Sequence, residues 1–362
     1  MINEVGKLFL GNSPNWYKFT IIGFLAINPI LLFLFNTLGL NAGFIMGWIF
    51  LLQFIFTLAL ALKCYPLQPG GLLAIQALVL NLTSPDAVLY EIEHNLEVIL
   101  LLIFMVAGIF FMKNLMLTIF TKLLLNVKSK VALSLLFSFS AAILSAFLDA
   151  LTVTAVLIAV TVGFYRVFHA VASNKSFSDG DHNHLDNSQL DQTKVSDFEE
   201  FKAFLRDLIM HGAVGTALGG VCTIVGEPQN LLIAKIAGWE FIEFFIRMAP
   251  ITMPVLIVGL LTCYLLEQFR ILGFGNQLPD SVRDVFNEYA TYENDTITIK
   301  QKSELLVEFL VLIFLIVALA FHIAAVGLIG LAVIILLTSF KGITEEHHLG
   351  EAFHEALPFT AL

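Results

Sequence analysis

From Val131 to Tyr165 the chain runs for about 35 residues with one charged side chain, Asp149. A bilayer is crossed by about 20 apolar residues, so this run exceeds what one span requires and carries its only charge inside it. Other apolar stretches recur at 19–38, 43–62, 97–112, 241–266, 305–323 and 325–340, with less regular ones at 70–82, 114–126, 131–172 and 206–238. The stretch from Gly70 to Leu82 is too short to cross unaided and reads as a partial or tilted span. Charged residues make up 13% of the chain and hydrophobic ones 58%, at a mean hydropathy of +0.87. Soluble domains carry about 25% charged residues, so half of the usual solvating surface is missing. The 34 phenylalanines suit lipid-facing and helix-packing positions. The expected fold is an all-α polytopic membrane protein.

The first apolar stretch, Phe19 to Leu38, is longer than the core of about 7–15 residues found in signal peptides, and reads as a retained membrane anchor. Lys7, Lys18 and Lys63 flank the first two spans and fit a cytoplasmic N-terminus. Asp86, Glu91 and Glu93 then fall outside. Lys113, Lys122, Lys128 and Lys130 return inside, as do Arg270, Arg283, Lys300, Lys302 and Lys341. The net charge of −10 comes without a basic stripe, so nucleic-acid binding has no electrostatic basis. Cys64, Cys222 and Cys263 match no zinc or redox spacing and read as small buried hydrophobes.

These features divide the chain into a cytoplasmic N-terminus (1–18), membrane spans (19–172), a polar cytoplasmic loop (173–205), an interrupted helix with a following span (206–270), a second polar cytoplasmic loop with some helix (271–304), and a last apolar part (305–362). Neither polar loop is long enough to be a separate catalytic domain.

A carboxylate at membrane depth costs roughly 2.5–3.5 kcal/mol on insertion scales and usually marks an ion path or proton relay. Asp149 is flanked by small and hydroxyl-bearing residues, from Ser145 to Thr152. Segment 131–172 has Lys128 and Lys130 at one end and Arg166 at the other. Both ends therefore lie on the same side. Two crossings with Asp149 at an outer turn, or a re-entrant hairpin with Asp149 at its tip, would each satisfy this.

A second unusual element runs from Gly219 to Asn230, Gly-Gly-Val-Cys-Thr-Ile-Val-Gly-Glu-Pro-Gln-Asn, between apolar arms. Three glycines and a proline cannot continue a regular helix through a bilayer. The expected result is a discontinuous helix whose freed carbonyls can coordinate a cation, with the opposing helix N-terminus presenting N–H groups. A kinked structural helix is the plainer reading. The clustering of Glu227, Gln229 and Asn230 beside the interruption tells against it. Asn230 offers an amide oxygen to a cation without adding charge; Glu227 could instead pair with Lys235 or face an aqueous vestibule. Ser145 and Thr152 could supply hydroxyl oxygens or serve helix packing. His211 is a possible pH sensor, because its side chain titrates near neutrality, although a hydrogen-bonded structural role is the commoner one. His322, His347 and His348 read as solvated, and His182 and His184 lie in a flexible acidic loop.

The segments from Ser145 to Thr152, around Asp149, and from Gly219 to Asn230 resemble the paired signatures of the ion transporter superfamily. Ser13-Pro14-Asn15-Trp16-Tyr17-Lys18 and the stretch from Ala61 to Gly71 narrow the resemblance to the NhaB-type sodium–proton antiporters, over essentially the whole chain. It implies two inverted repeats, each with a re-entrant hairpin and a discontinuous helix, and favours the re-entrant reading of 131–172. Asp149 then falls at the hairpin tip and Gly226 to Asn230 at the helix break. Family members carry a second hairpin and broken helix with its own Asp. Here the second inverted repeat is expected to be incomplete, because Leu357 to Leu362 reads as the start of another apolar segment.

The resemblance further implies a multi-pass protein of the bacterial inner membrane, surrounded by lipid. By the same resemblance it would exchange Na+ for H+, with Li+ a further candidate and a homodimer suggested, and without a cofactor. Asp149 would bind Na+ and H+ in turn, with Na+ held at Asp149 and Asn230. Near neutrality an ordinary carboxylate stays ionised; burial disfavours the charged form and lets a proton compete with sodium. The rivals are an anion carrier of the same superfamily, for dicarboxylate or arsenite, and an inactive structural fragment. A central carboxylate would repel an anion. An intramembrane aspartyl protease needs two deep Asp residues, and a rhomboid-type enzyme needs a Gly-x-Ser-Gly nucleophile that the chain lacks, so a transporter is expected rather than an enzyme.

Overall fold

A computed structural model describes residues 8–61, 63–148, 150–173, 175, 191 and 194–361, without the side chains of 151, 293–296 and 355–361. Asp149, His182 and His184 lie outside the described residues. Among those described, the regular structure is entirely helical. Among the described residues six helices are long and apolar enough to cross a membrane, or seven if the bent pair Pro85–His94 and Leu96–Phe110 forms one span. The chain forms two compact units, one of residues 1–96 and 358–362 and the other of residues 97–357.

The first unit contains α1 (Asn15–Thr37), α2 (Ala42–Ala59), α3 (Leu67–Val79) and α4 (Pro85–His94). Asn41 caps α2 by accepting from the Phe44 amide, and Ser84 caps α4 with Pro85 at its first position. The helix α3 has 13 residues and reaches only about 20 Å, so it does not cross alone. Hydrophobicity is inverted relative to a soluble protein: Phe19 and Phe33 of α1 point outward, whereas Asn28 is fully buried. Pro29 has no N–H to give the Leu25 carbonyl, and Gln76 of α3 donates to that oxygen instead, at 2.6 Å. Asn28 in turn bonds Gln53 of α2 and Gln76, so three amides hold α1, α2 and α3 together.

In the second unit a π-helical turn (Leu101–Met105) interrupts α5 (Leu96–Phe110), and α6 spans Lys113–Asn126. Next come α7 (Lys130–Phe147), α8 (Ala150–Ala172), α9 (Val195–Gly220), α10 (Pro228–Ala237) and α11 (Phe241–Phe269). The chain continues with α12 (Asp280–Thr296), α13 (Ile299–Ala320), α14 (Val326–Lys341) and α15 (Glu346–Ala361). The helix α9 begins inside the segment read as polar loop, because Phe198, Phe201, Phe204 and Leu205 give its first turns a buried apolar face. The mixed-charge segment after Gly273 likewise holds α12, which buries Val282 and Phe286. The 325–340 stretch folds as the 16-residue α14, short of the other spans.

The tightest seam in this unit joins α7 to α9. A Cβ on Gly215 would collide with the Ser138 carbonyl, and one on Gly219 with the Ala142 carbonyl, so the two backbones touch. Small residues four apart are what permit such an approach between helices in lipid. On the other side, Gly327 and Gly330 of α14 pack in the same manner against Leu100 and Met105 of α5.

Candidate functional site

The α7–α9 seam ends where α9 breaks. Val221 to Glu227 is non-helical, and α10 restarts with Pro228, whose missing N–H costs nothing at a first helical position. Gly226 allows the chain to fold back: a Cβ there would strike the Gly220 carbonyl and lie 2.7 Å from the Ser145 carbonyl. Asn230, in the first turn of α10, donates its side-chain amide to the carbonyls of Gly220 (3.0 Å) and Thr223 (2.8 Å). It thereby ties the start of one half-helix to the severed end of the other. The nitrogen side of that amide is spent on the break, which leaves the oxygen as the side able to meet a cation.

The end of α7 is built into the same place. Ser145 is fully buried and donates to the Thr216 carbonyl at 2.7 Å. The Thr223 hydroxyl donates to the Ala146 carbonyl, and receives the Gly226 amide at 3.3 Å. Thr154 of α8 lies 3.2 Å from Thr216, hydroxyl to hydroxyl. A Cβ on Gly220 would sit 3.0 Å from Glu227 Oε1 and 3.1 Å from Ser145 Oγ, so the carboxylate and the hydroxyl crowd one small residue. Leu148 and Ala150, on either side of Asp149, are buried. Thr152 is half-buried in the first turn of α8.

Ser145, Gly226, Glu227 and Asn230 are therefore gathered at one locus of hydroxyl, carbonyl and carboxylate oxygens, the donor set that hard cations prefer. His211 is not part of it. It lies nine residues before Gly220, about 13 Å along α9, with its Nε2 2.9 Å from Glu267 Oε1. Thr154, Thr216 and Thr223 join the locus without having been singled out from the sequence, since threonines are common in apolar helices and only packing shows which face inward. Lys130 and Glu267 are similarly unforeseen as partners. Lys130 reads as a boundary charge, but it is buried within 3.5 Å of Glu267.

An all-helical, multi-pass membrane protein with a broken helix seated on a hydroxyl-lined helix end is the class that this fold and site define. The model of the bacterial Na+/H+ antiporter B (NhaB) family matches residues 1–362, and the chain belongs to that family. It is 60% identical over 360 residues to the Na+/H+ antiporter NhaB of Marinomonas sp. (strain MWYL1), covering 99% of this chain and 71% of that protein. Against the protein of the same description from Teredinibacter turnerae, identity is 60% over 98% of this chain and 69% of the relative. For that of Shewanella denitrificans the figures are 59%, 99% and 67%. No solved structure matches the chain.

Proposed function

We propose that the chain exchanges Na+ for H+ across the bacterial inner membrane, with Asp149 taking up the two ions in turn. The observation that carries the reading is the seating of the α9–α10 break against the end of α7, immediately before the one charge of a 35-residue apolar run. Membership of the antiporter family supports the choice of ions.

In this mechanism Asp149 is neutralised by either Na+ or a proton, and competition between them couples the two flows. Ser145, the Asn230 amide oxygen and carbonyls of the break supply oxygens for a dehydrated Na+, with Thr152 and Glu227 as further donors. The half-helix ends add partial charges at depth, negative from α9 and positive from α10. An unoccupied, charged site would be costly to carry across an apolar barrier, whereas either neutral state would not. That asymmetry makes exchange obligatory. Lys18 and Lys63 favour an N-terminus on the cytoplasmic side, and a re-entrant form of 131–172 would serve this reading by carrying Asp149 toward the break.

The test is Asp149→Asn in proteoliposomes with an imposed pH gradient. Addition of Na+ should no longer dissipate the gradient, while Ser145→Ala should raise the Na+ concentration required. Normal Na+-driven proton movement by folded Asp149→Asn protein would end the proposal. Uptake of succinate or arsenite by the unmutated protein would transfer the site to an anion.

A further inference from the structure

The α7–α9 seam carries a second polar assembly at the end remote from the break. Lys130 and Ser134 of α7, His211 of α9 and Glu267 of α11 converge there, each no more than 4% exposed. Glu267 Oε1 receives Ser134 Oγ at 2.9 Å, faces His211 Nε2 at 2.9 Å and lies 3.5 Å from Lys130 Nζ. Its other oxygen, Oε2, is buried and has no hydrogen-bond partner among the described residues. Lys130 also donates to the Phe204 carbonyl and sits 4.3 Å from the centre of the Phe204 ring. Between this cluster and Ser145 lie 11 residues of α7 counted from Ser134, about 16 Å.

We propose that the His211–Glu267 pair is a second proton-binding site, separate from Asp149, and that its occupancy sets how Na+ affinity varies with pH. The coupling half of this proposal rests on the antiporter reading; the proton-binding half does not.

Charge counting supports it. Lys130 already balances Glu267, so the cluster is neutral when the imidazole is neutral and carries one excess positive charge when it is not. Of the ionic groups on adjoining turns, Arg206 and Asp207 of α9 pair at 2.9 Å, and Arg270, three residues after Glu267 at the end of α11, is exposed. Cys263 of α11 adjoins the imidazole, and Phe274 lies 4.8 Å away, ring centre to ring centre. A carboxylate oxygen can only accept, so the contact at Nε2 requires a hydrogen there. The incoming proton then goes to Nδ1 of the imidazole, and the ionised carboxylate, with Oε2 still unmatched, stabilises the resulting charge, so the two act as a pair.

A purely structural carboxylate in so sealed a place would be expected to spread its donors over both oxygens, because an unmatched buried oxygen is costly. Here three donors crowd one oxygen and the other is left open. The excess charge appears between three helices, two of which run on as a backbone-to-backbone pair to Ser145 and Gly220. Protonation therefore alters how firmly α11 is held on the rigid pair that bears the ion site.

His211→Gln keeps an amide donor for Glu267 but cannot titrate. In proteoliposomes the pH at which the KM for Na+ is half-changed should move by about one unit or more, with the maximal rate within about twofold. Ser134→Ala, which removes a donor and no titratable group, should leave that profile in place. Independently, 15N-histidine NMR of the protein without Na+, followed over the pH range of the transport assay, should contain among its titrating imidazoles one signal that is missing from His211→Gln. A wild-type pH profile in active His211→Gln overturns the coupling. A His211 signal constant across the range overturns the proton site itself, even if no Na+/H+ exchange were found. Glu267→Gln, where it folds, should remove the titration as well.

Discussion

The side-chain amide of Asn230 reaches back across the helix break to the carbonyl oxygen of Gly220, 3.0 Å away, and so closes the end of one half-helix with the start of the other. Without it, the carbonyls of Gly220 and Thr223 would lose the donor that closes the break. Asn230→Leu should cost about 1–3 kcal/mol of stability, read as a lowered unfolding midpoint in detergent. The apparent affinity for Na+ should fall more than the maximal rate. An unchanged KM in a destabilised variant would confine Asn230 to a structural role.

The α7–α9 seam should not tolerate a single methyl group. Gly219→Ala sets a Cβ against the Ala142 carbonyl and should destabilise by about 3 kcal/mol. Gly163→Ala on α8 meets nothing within 4 Å, and removing a helical glycine should stabilise by up to about 1 kcal/mol. Thermal unfolding of the two variants side by side tests whether close approach, rather than helix propensity, governs the seam.

Glu308 of α13 and Lys341 of α14 form a buried pair at 2.5 Å that spans the α5–α6 corner. Lys341 donates to the Phe111 carbonyl and Glu308 accepts from the Leu115 amide, so each charge meets the helix end of opposite sign. Lys341→Met strands a carboxylate and should cost about 3–5 kcal/mol. Adding Glu308→Gln should recover more than half of that. If the double variant is no more stable than the single one, the pair is not the source of the loss.

Gln76→Leu should expose the consequence of Pro29 in α1. It leaves the Leu25 carbonyl without a donor and should lower stability by about 1–3 kcal/mol. Pro29→Ala restores a main-chain N–H at the right place in the helix, so Pro29→Ala with Gln76→Leu should be more stable than Gln76→Leu alone. The order of the two unfolding midpoints decides it.

The sequence alone determined that the chain is a helical membrane protein, because hydrophobic run length and charge are summed over neighbouring residues. It also located the interruption at Gly219 to Asn230, since the limits of glycine and proline act on the backbone where they occur. Tertiary structure alone decided the partners of the buried polar groups. Asn28 and Gln76 are 48 residues apart, His211 and Glu267 are 56, Ser134 and Glu267 are 133, and Leu115 and Glu308 are 193. Those partners are chosen by which helix faces meet, a property of packing that no local pattern of residues encodes. The same reason separates Lys130 as a boundary charge in the sequence from Lys130 as a buried neighbour of Glu267 in the fold.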